Sequence, residues 1–387
     1  MEIDYIKGPK RDKIFGMSRY QFEIYKRLNN VDFNFIEYNS LIQVLQHWFQ
    51  TSKKNSYAPS KNVSFLTQSP ILIKLVNDGK SLAEIIDKHR YIELVKKEVH
   101  RDHIKHITYQ DMAYILNHIN LKKTIVTCHD LIPWVYEKNR SAYWRDNIKG
   151  LKKSDVIITV SKFSKNEIIK YLNYPSHKIH IIPDAVDHSV YYPQRNKEIL
   201  KTLKISNDKK IILYVGSETP RMNVPILIRA LAELKKDLPN VKLIKIGEPQ
   251  ILGSRQKILN LIKYLNLQKD VFFKGYVTDN ELPLWYNAAD LLVYPCSYAG
   301  FGLPPLEAMA CGTPVITSNT SSLPEVVGEA GIMIDPLDIK VMVKKMYQLL
   351  IDDELFNNLS KKGLKRAQYF NWDDSAKRTL EIYEKIN

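Results

Sequence analysis

The stretch Leu291-Leu292-Val293-Tyr294-Pro295-Cys296-Ser297-Tyr298-Ala299-Gly300-Phe301-Gly302-Leu303-Pro304-Pro305-Leu306-Glu307-Ala308-Met309-Ala310 reads as a strand, a turn carrying two glycines, and a helix with prolines in its first turn. Glycine lets backbone approach a neighbour closely, and proline suits a helix start because the N–H it lacks would be unpaired there. The free amides at that start, with the positive end of the helix dipole, form a receptor for a diphosphate. Glu307 lies about one turn inside the helix, placed to accept hydrogen bonds from ribose hydroxyls. Close packing explains such a turn about as often, so the rest of the chain has to decide.

On either side the same alternation recurs. Ile211–Val215, Val241–Ile246, Val271–Phe273 and Pro314–Thr317 read as strands, with helical patterns between neighbours. That order predicts a parallel sheet wound on both faces, which binds ligands beyond the carboxyl ends of its strands. Upstream, Thr124–Cys128, Asp155–Val160 and Lys178–Ile182 predict a second such sheet, and the Ser164/Glu167 spacing predicts a capping box opening a helix through Tyr171. Residues 184–195, bracketed by Pro183 and Pro193, have no helical period and read as a linker. The expected architecture is α/β: two Rossmann-like, doubly wound domains over 1–193 and 194–370 facing a central cleft. A C-terminal helix, legible over Asp374–Lys385, occupies 371–387, with the first domain as the surface for it to pack back on. Residues 39–62 are the least legible.

Composition narrows the classes. A chain of 387 residues exceeds one usual core. No stretch reaches the roughly 18 to 20 uninterrupted apolar residues of a membrane-spanning helix, and Met1-Glu2-Ile3-Asp4-Tyr5 lacks a signal-peptide pattern, so the expected location is cytoplasmic. Cys128, Cys296 and Cys311, odd in number and set in apolar runs, predict buried thiols rather than disulfides or a zinc site. The formal charge of +15, leaning N-terminal, is of the sign that an anionic membrane face, a phosphate-bearing acceptor or nucleic acid attracts. An ordinary solvated surface accounts for it equally well. No recognition motif with interleaved aromatics supports nucleic acid.

Further candidates are His129, ending an apolar strand before Asp130, and Arg221, a permanent cation suited to bidentate phosphate contact, in Val215-Gly216-Ser217-Glu218-Thr219-Pro220-Arg221-Met222-Asn223. Gly16-Met17-Ser18-Arg19-Tyr20 precedes an amphipathic helix over Gln21–Leu28; Arg19 and Lys13 read as solvent-facing cations. His100, His103 and His106 read as solvated or helix-facing, because histidine spacing alone does not make a metal site without a clear acidic or thiol partner. No Asp-x-Asp element is present to bring a divalent metal to a nucleotide sugar, so no metal or other cofactor is expected at that site.

Gly300 to Thr313, Pro314-Val315-Ile316 and Ser322-Leu323-Pro324-Glu325-Val326-Val327-Gly328 closely resemble the family-four retaining glycosyltransferases of the GT-B fold (glycosyltransferases group 1). The resemblance extends to Gly275-Tyr276-Val277, Val215-Gly216, His129-Asp130-Leu131-Ile132-Pro133 and Thr159-Val160-Ser161, covering about 120–370 well and the first 120 residues poorly. It implies catalytic roles for His129, Arg221 and Glu307. It further implies a donor site of Gly16, Ser217, Arg221, Asn223, Gly275, Tyr276, Val277, Ala299, Gly300, Phe301, Gly302, Leu303 and Glu307. Three positions depart from the family pattern. Ala299 stands where relatives carry a first glutamate that contacts the donor sugar, and Ser217 and Met222 stand where many carry an arginine and a lysine facing the diphosphate. The implied activity is retaining, metal-independent transfer of a hexose from a nucleoside diphosphate sugar to a glycan, lipid-linked or other hydroxyl acceptor. GDP-mannose comes first among donors, because the His-Asp-Leu-Ile-Pro pattern resembles mannosyltransferases of polysaccharide assembly, and UDP-glucose second. The alternative is a catalytically impaired nucleotide-sugar-binding protein with a regulatory or structural role.

Overall fold

The computed structural model describes residues 1–10, 16–40, 85–251 and 253–387, so Lys13 and residues 41–62 lie outside the described residues. Within them the chain forms two six-stranded parallel sheets, both α/β and doubly wound, as the sequence predicts. The first contains β1 (Glu2–Pro9), β2 (Asp32–Tyr38), β3 (Ile104–Ile107), β4 (Thr124–Cys128), β5 (Val156–Thr159) and β6 (Ile179–Ile181), in the order β2-β1-β3-β4-β5-β6. The second contains β7 (Lys210–Val215), β8 (Val241–Ile246), β9 (Val271–Gly275), β10 (Leu291–Tyr294), β11 (Val315–Ser318) and β12 (Ile332–Ile334), in the order β12-β11-β10-β7-β8-β9. β4 is buried at all five residues, which is why it reads as one continuous apolar run.

The sequence pattern misses β1, β2, β3 and β12. β1 carries Asp4 at a fully buried position, where Asn34 Nδ2 donates to it at 2.9 Å and the His100 backbone amide at 2.7 Å. A buried carboxylate is tolerated only with such partners, and these are distant in sequence.

The helix Lys162–Leu172 is capped by Ser161, not by the predicted Ser164: Ser161 Oγ accepts the Ser164 amide at 3.0 Å. Glu167 instead accepts a hydrogen bond from the Tyr298 hydroxyl. Glu325, from the second sheet's half of the chain, accepts the Lys162 and Phe163 amides at 2.9 Å each. A carboxylate at the positive end of a helix is favourable, so this cap also ties the two halves together.

The N-terminal helix spans Gly16–Tyr25 rather than starting at Gln21. The last helix spans Trp372–Ile386, slightly longer than its legible core, with Asn371 as its cap. It returns to the first sheet: Trp372 packs edge-on to Tyr20 at 5.9 Å between ring centroids, and Tyr383 Oη lies 2.6 Å from His106 Nδ1. Truncating a buried tryptophan of this kind costs about 3 to 5 kcal/mol. The three cysteines are buried and free, as predicted.

Candidate active site

In the first sheet the strand order reverses between β1 and β3, and in the second between β7 and β10. Ligands of doubly wound sheets bind at such reversals, past the carboxyl ends. There the segment from Gly16 and the β4 end at His129 face the β7 and β10 loops across a cavity of about 410 Å³.

On the second sheet's side, Gly302 caps the Leu303–Ala310 helix at φ 128°; Pro304 and Pro305 carry no N–H and the Leu306 amide donates to the Gly302 carbonyl at 3.3 Å, which leaves the Leu303 amide at the helix start without a side-chain cap. Glu307 is buried on this helix, accepting from Tyr286 Oη at 2.8 Å, and burial holds its carboxyl above the ordinary range despite the nearby Arg19 cation. Arg221 is fixed through Nη1, which donates to the Tyr298 carbonyl at 3.0 Å and lies 3.4 Å from Cys296 Sγ. Met222 is buried with its methyl against Gly216, so its position is apolar. Glu218 turns away from the cavity lining into an ion cluster with Lys245 at 2.9 Å and Arg255 at 2.5 Å.

On the first sheet's side, His129 is buried, and burial pushes its imidazole down to about 4. Its ring lies edge-on to Tyr20 at 5.2 Å. One ring nitrogen is engaged with the Thr108 backbone, while Nε2 is buried with no hydrogen-bond partner among the described residues. A neutral imidazole so held keeps Nε2 as an unused acceptor on a residue that lines the cavity. Asp184, which the sequence placed in a linker, also lines the cavity. Burial, reinforced by Glu307, pushes its carboxyl up to about 8, so it is largely protonated at neutral pH.

Arg19 corrects the reading of it as a solvent-facing cation. Its side chain is 14% exposed and bridges the halves of the chain: it pairs with Asp279, donates to Tyr191 Oη at 3.0 Å, and lies 3.8 Å from Glu307 Oε1. The partners are some 170 to 290 residues away, so only the weak signal of a first-turn arginine after Gly16 marks it in sequence.

Of the residues implied by resemblance, His129, Gly16, Ser217, Arg221, Tyr276, Val277, Ala299, Gly300, Phe301, Gly302, Leu303 and Glu307 line the cavity. Asn223 and Gly275 are not in the lining. The Asn223 amide is taken up by the Pro295 carbonyl at 2.8 Å and Ser297 Oγ at 2.6 Å, and the Gly275 carbonyl accepts the Gly247 amide at 2.6 Å. Gly216, quoted only as part of the resemblance, also lines it, as do Gly247, Glu248 and Gln250, which were not picked out. His106 is not solvated but faces a helix: it is buried in β3, bonded to Tyr383 of the Trp372–Ile386 helix and, at 2.7 Å, to Thr127.

Two Rossmann-like sheets facing across a cleft, with a glycine-capped helix start, a buried carboxylate and cations on it, define the GT-B class of transferase. The chain belongs to the glycosyltransferases of group 1 and family four. The model described as Glycosyl transferases group 1 matches residues 195–366, and that described as Glycosyltransferase Family 4 matches 70–190. The O-antigen chain mannosyltransferase B of Escherichia coli is 30% identical over 99% of this chain and 100% of its own. The MMP alpha-(1->4)-mannosyltransferase of Mycolicibacterium hassiacum is 29% identical over 59% of this chain and 54% of its own. Among solved structures, HepE of Anabaena in complex with UDP-glucose superposes with a TM-score of 0.74 at 16% identity, over 97% of this chain and 98% of its own. Sucrose-phosphate synthase of Thermosynechococcus elongatus gives 0.73 at 21% identity, over 99% and 98%. No helix among the described residues is long and apolar enough to cross a membrane.

Proposed function

We propose that this glycosyltransferase moves a hexose, mannose before glucose, from a nucleoside diphosphate sugar to a hydroxyl acceptor, with retention and without a metal at the donor. The observation that carries the reading is the convergence of Glu307, Arg221 and the Leu303 helix start on one side of a single cavity, with Arg19 and neutral His129 reaching it from the other. In this reading the nucleotide lies on the second sheet, with Glu307 accepting its ribose hydroxyls. The Leu303 amide at the helix start and Arg221 hold the diphosphate, and Arg221 stabilises the charge that grows on it as the glycosidic bond breaks. His129 Nε2 accepts from a sugar hydroxyl. The acceptor, a glycan or lipid-linked alcohol, enters over the first half of the chain, and the enzyme works in the cytoplasm, held peripherally to the anionic inner membrane face by its basic surface. The mannosyltransferase names of the relatives support the first choice of sugar.

The test is a donor panel with EDTA present, following sugar release and transfer and reading the product anomer by NMR. Transfer from GDP-mannose or UDP-glucose with the anomer kept is expected. Inversion, a requirement for magnesium, or activity with neither donor overturns the corresponding part. A binding protein without turnover is the second reading, favoured by Ala299, which brings a methyl group to the cavity wall where relatives have a carboxylate. Ala299→Glu separates the two: a gain in donor hydrolysis from an inactive parent supports the impaired form, while loss of existing activity shows that the small residue makes room for substrate.

A further inference from the structure

At the amino-terminal ends of β1 and β3, away from the cleft, three side chains meet. Asp4 Oδ1 lies 3.2 Å from His100 Nδ1 and 3.1 Å from His103 Nδ1, and the two imidazoles stack at 4.3 Å between centroids. The acidic partner of both histidines is Asp4, about a hundred residues earlier in the chain, rather than the neighbouring Asp102 or Glu98. Asn34 Nδ2 approaches the same oxygen at 2.9 Å. One carboxylate oxygen has about two lone-pair sites, so three N–H donors oversubscribe it. A cation relieves that crowding, because each Nδ1 then offers a lone pair instead of a proton. Ligands about 2.0 to 2.1 Å from a tetrahedral zinc ion stand roughly 3.3 Å apart, close to the spacings found here. Behind the site, His103 Nε2 faces Glu2 Oε2 at 3.1 Å, the carboxylate backing that metal-bound imidazoles usually have. The His100 amide, donating to Asp4 Oδ2 at 2.7 Å, fixes the carboxylate's direction.

We propose that Asp4, His100 and His103 bind a divalent ion of the zinc class, with water as the fourth ligand on the exposed side. Imidazole with one carboxylate suits zinc, whereas magnesium prefers an all-oxygen shell. The ion fastens the start of β1 to the segment entering β3, strands already in register at Ile3 with Ile104 and Asp4 with Lys105. Its place is therefore structural and separate from the transfer site.

The experiment is calorimetric titration of the full chain, stripped of metal and free of any polyhistidine tag, with Zn²⁺ and separately with Mg²⁺, alongside thermal unfolding. One equivalent of Zn²⁺ should bind and raise the melting temperature, with no response to Mg²⁺. Glu2→Gln should weaken Zn²⁺ about ten- to hundredfold, the usual cost of losing an outer partner, and His103→Ala should weaken it further. The His100 side chain is 58% exposed, so His100→Ala folds and gives a control independent of core damage. Absence of stoichiometric Zn²⁺ binding, equal binding of Mg²⁺, or unchanged affinity in His100→Ala overturns the proposal.

Discussion

Arg19 and Arg221 reach one cavity from opposite halves of the chain, and their surroundings give them different tasks. Arg221 is locked by the Tyr298 carbonyl on the second sheet's side, so its charge stays in place throughout a reaction. On the proposed reading, Arg221→Lys keeps a cation but loses the planar fork, and turnover should fall by about two to three orders of magnitude, near 2.7 to 4 kcal/mol, while donor affinity changes less. Equal losses in both would make Arg221 a ground-state contact. Arg19 instead shares Glu307 with whatever binds there. Arg19→Ala should weaken nucleoside diphosphate binding by about 1.5 to 3 kcal/mol, with little change for the nucleoside alone. Tighter binding by the variant, read by calorimetry, would mean that Arg19 competes with the nucleotide for Glu307. The departures at Ser217, Met222 and Ala299 are legible in sequence, since they are identities at motif positions. Arg19 is not, because its role depends on Asp279 and Glu307 arriving from another domain.

At the scale of elements, the β10 turn does more than open a helix. The Gly300 carbonyl accepts Ser161 Oγ at 2.7 Å, and a Cβ built on Gly300 would stand 2.4 Å from the His129 carbonyl oxygen. Absence of a side chain there lets the two halves close on each other. Gly300→Ala should therefore push the β4 end away from the β10 turn. Misplacement on the order of 1 Å costs about a hundredfold in rate, so kcat should drop to that extent while nucleotide affinity, which rests on Glu307, Arg221 and Arg19 rather than on the β4 end, changes less. A variant with wild-type kcat would show that the halves close elsewhere. Gly302 is different: its φ of 128° shapes the helix start itself. The strand-turn-helix pattern announces a glycine requirement at both positions, but only the facing strand says that Gly300 serves closure.

Across the whole molecule, the C-terminal helix returns to the first sheet, and His106 joins Tyr383 on that helix to Thr127 on β4. Burial, with His129 nearby, pushes the His106 imidazole down to about 3, against an ordinary value near 6.5. As pH falls below 6.5 the unfolded chain takes up this proton first. The stability due to neutral His106 is complete above that pH and is lost progressively toward about 3. At about 1.4 kcal/mol per pH unit, wild type should lose about 2 kcal/mol from this group between pH 7 and pH 5. Asp184 acts in the opposite sense: with its carboxyl raised to about 8, its contribution is greatest at low pH and is lost as pH rises through 8. It is present in both proteins when wild type is compared with His106→Gln, so urea unfolding at the two pH values isolates His106. The variant should be less stable at pH 7 yet less sensitive to acid; equal sensitivity would show that folded His106 titrates near its ordinary value.

By itself the sequence determined the α/β class, strands β4 to β11 and the buried thiols. Those features follow from local periodicity and from turns whose backbone needs are written in glycine and proline. Tertiary structure alone decided β1, with its buried Asp4, the capping of Lys162–Leu172 by Ser161 and Glu325, and the entry of Arg19 and Asp184 into the cleft. Asp4, the Glu325 cap and Arg19 each depend on a polar partner far along the chain, while Asp184 enters the cleft only through the folding of the segment between the two sheets. Burial of a charge or an unpaired amide is favourable only once that partner has arrived, and no local pattern records the arrival.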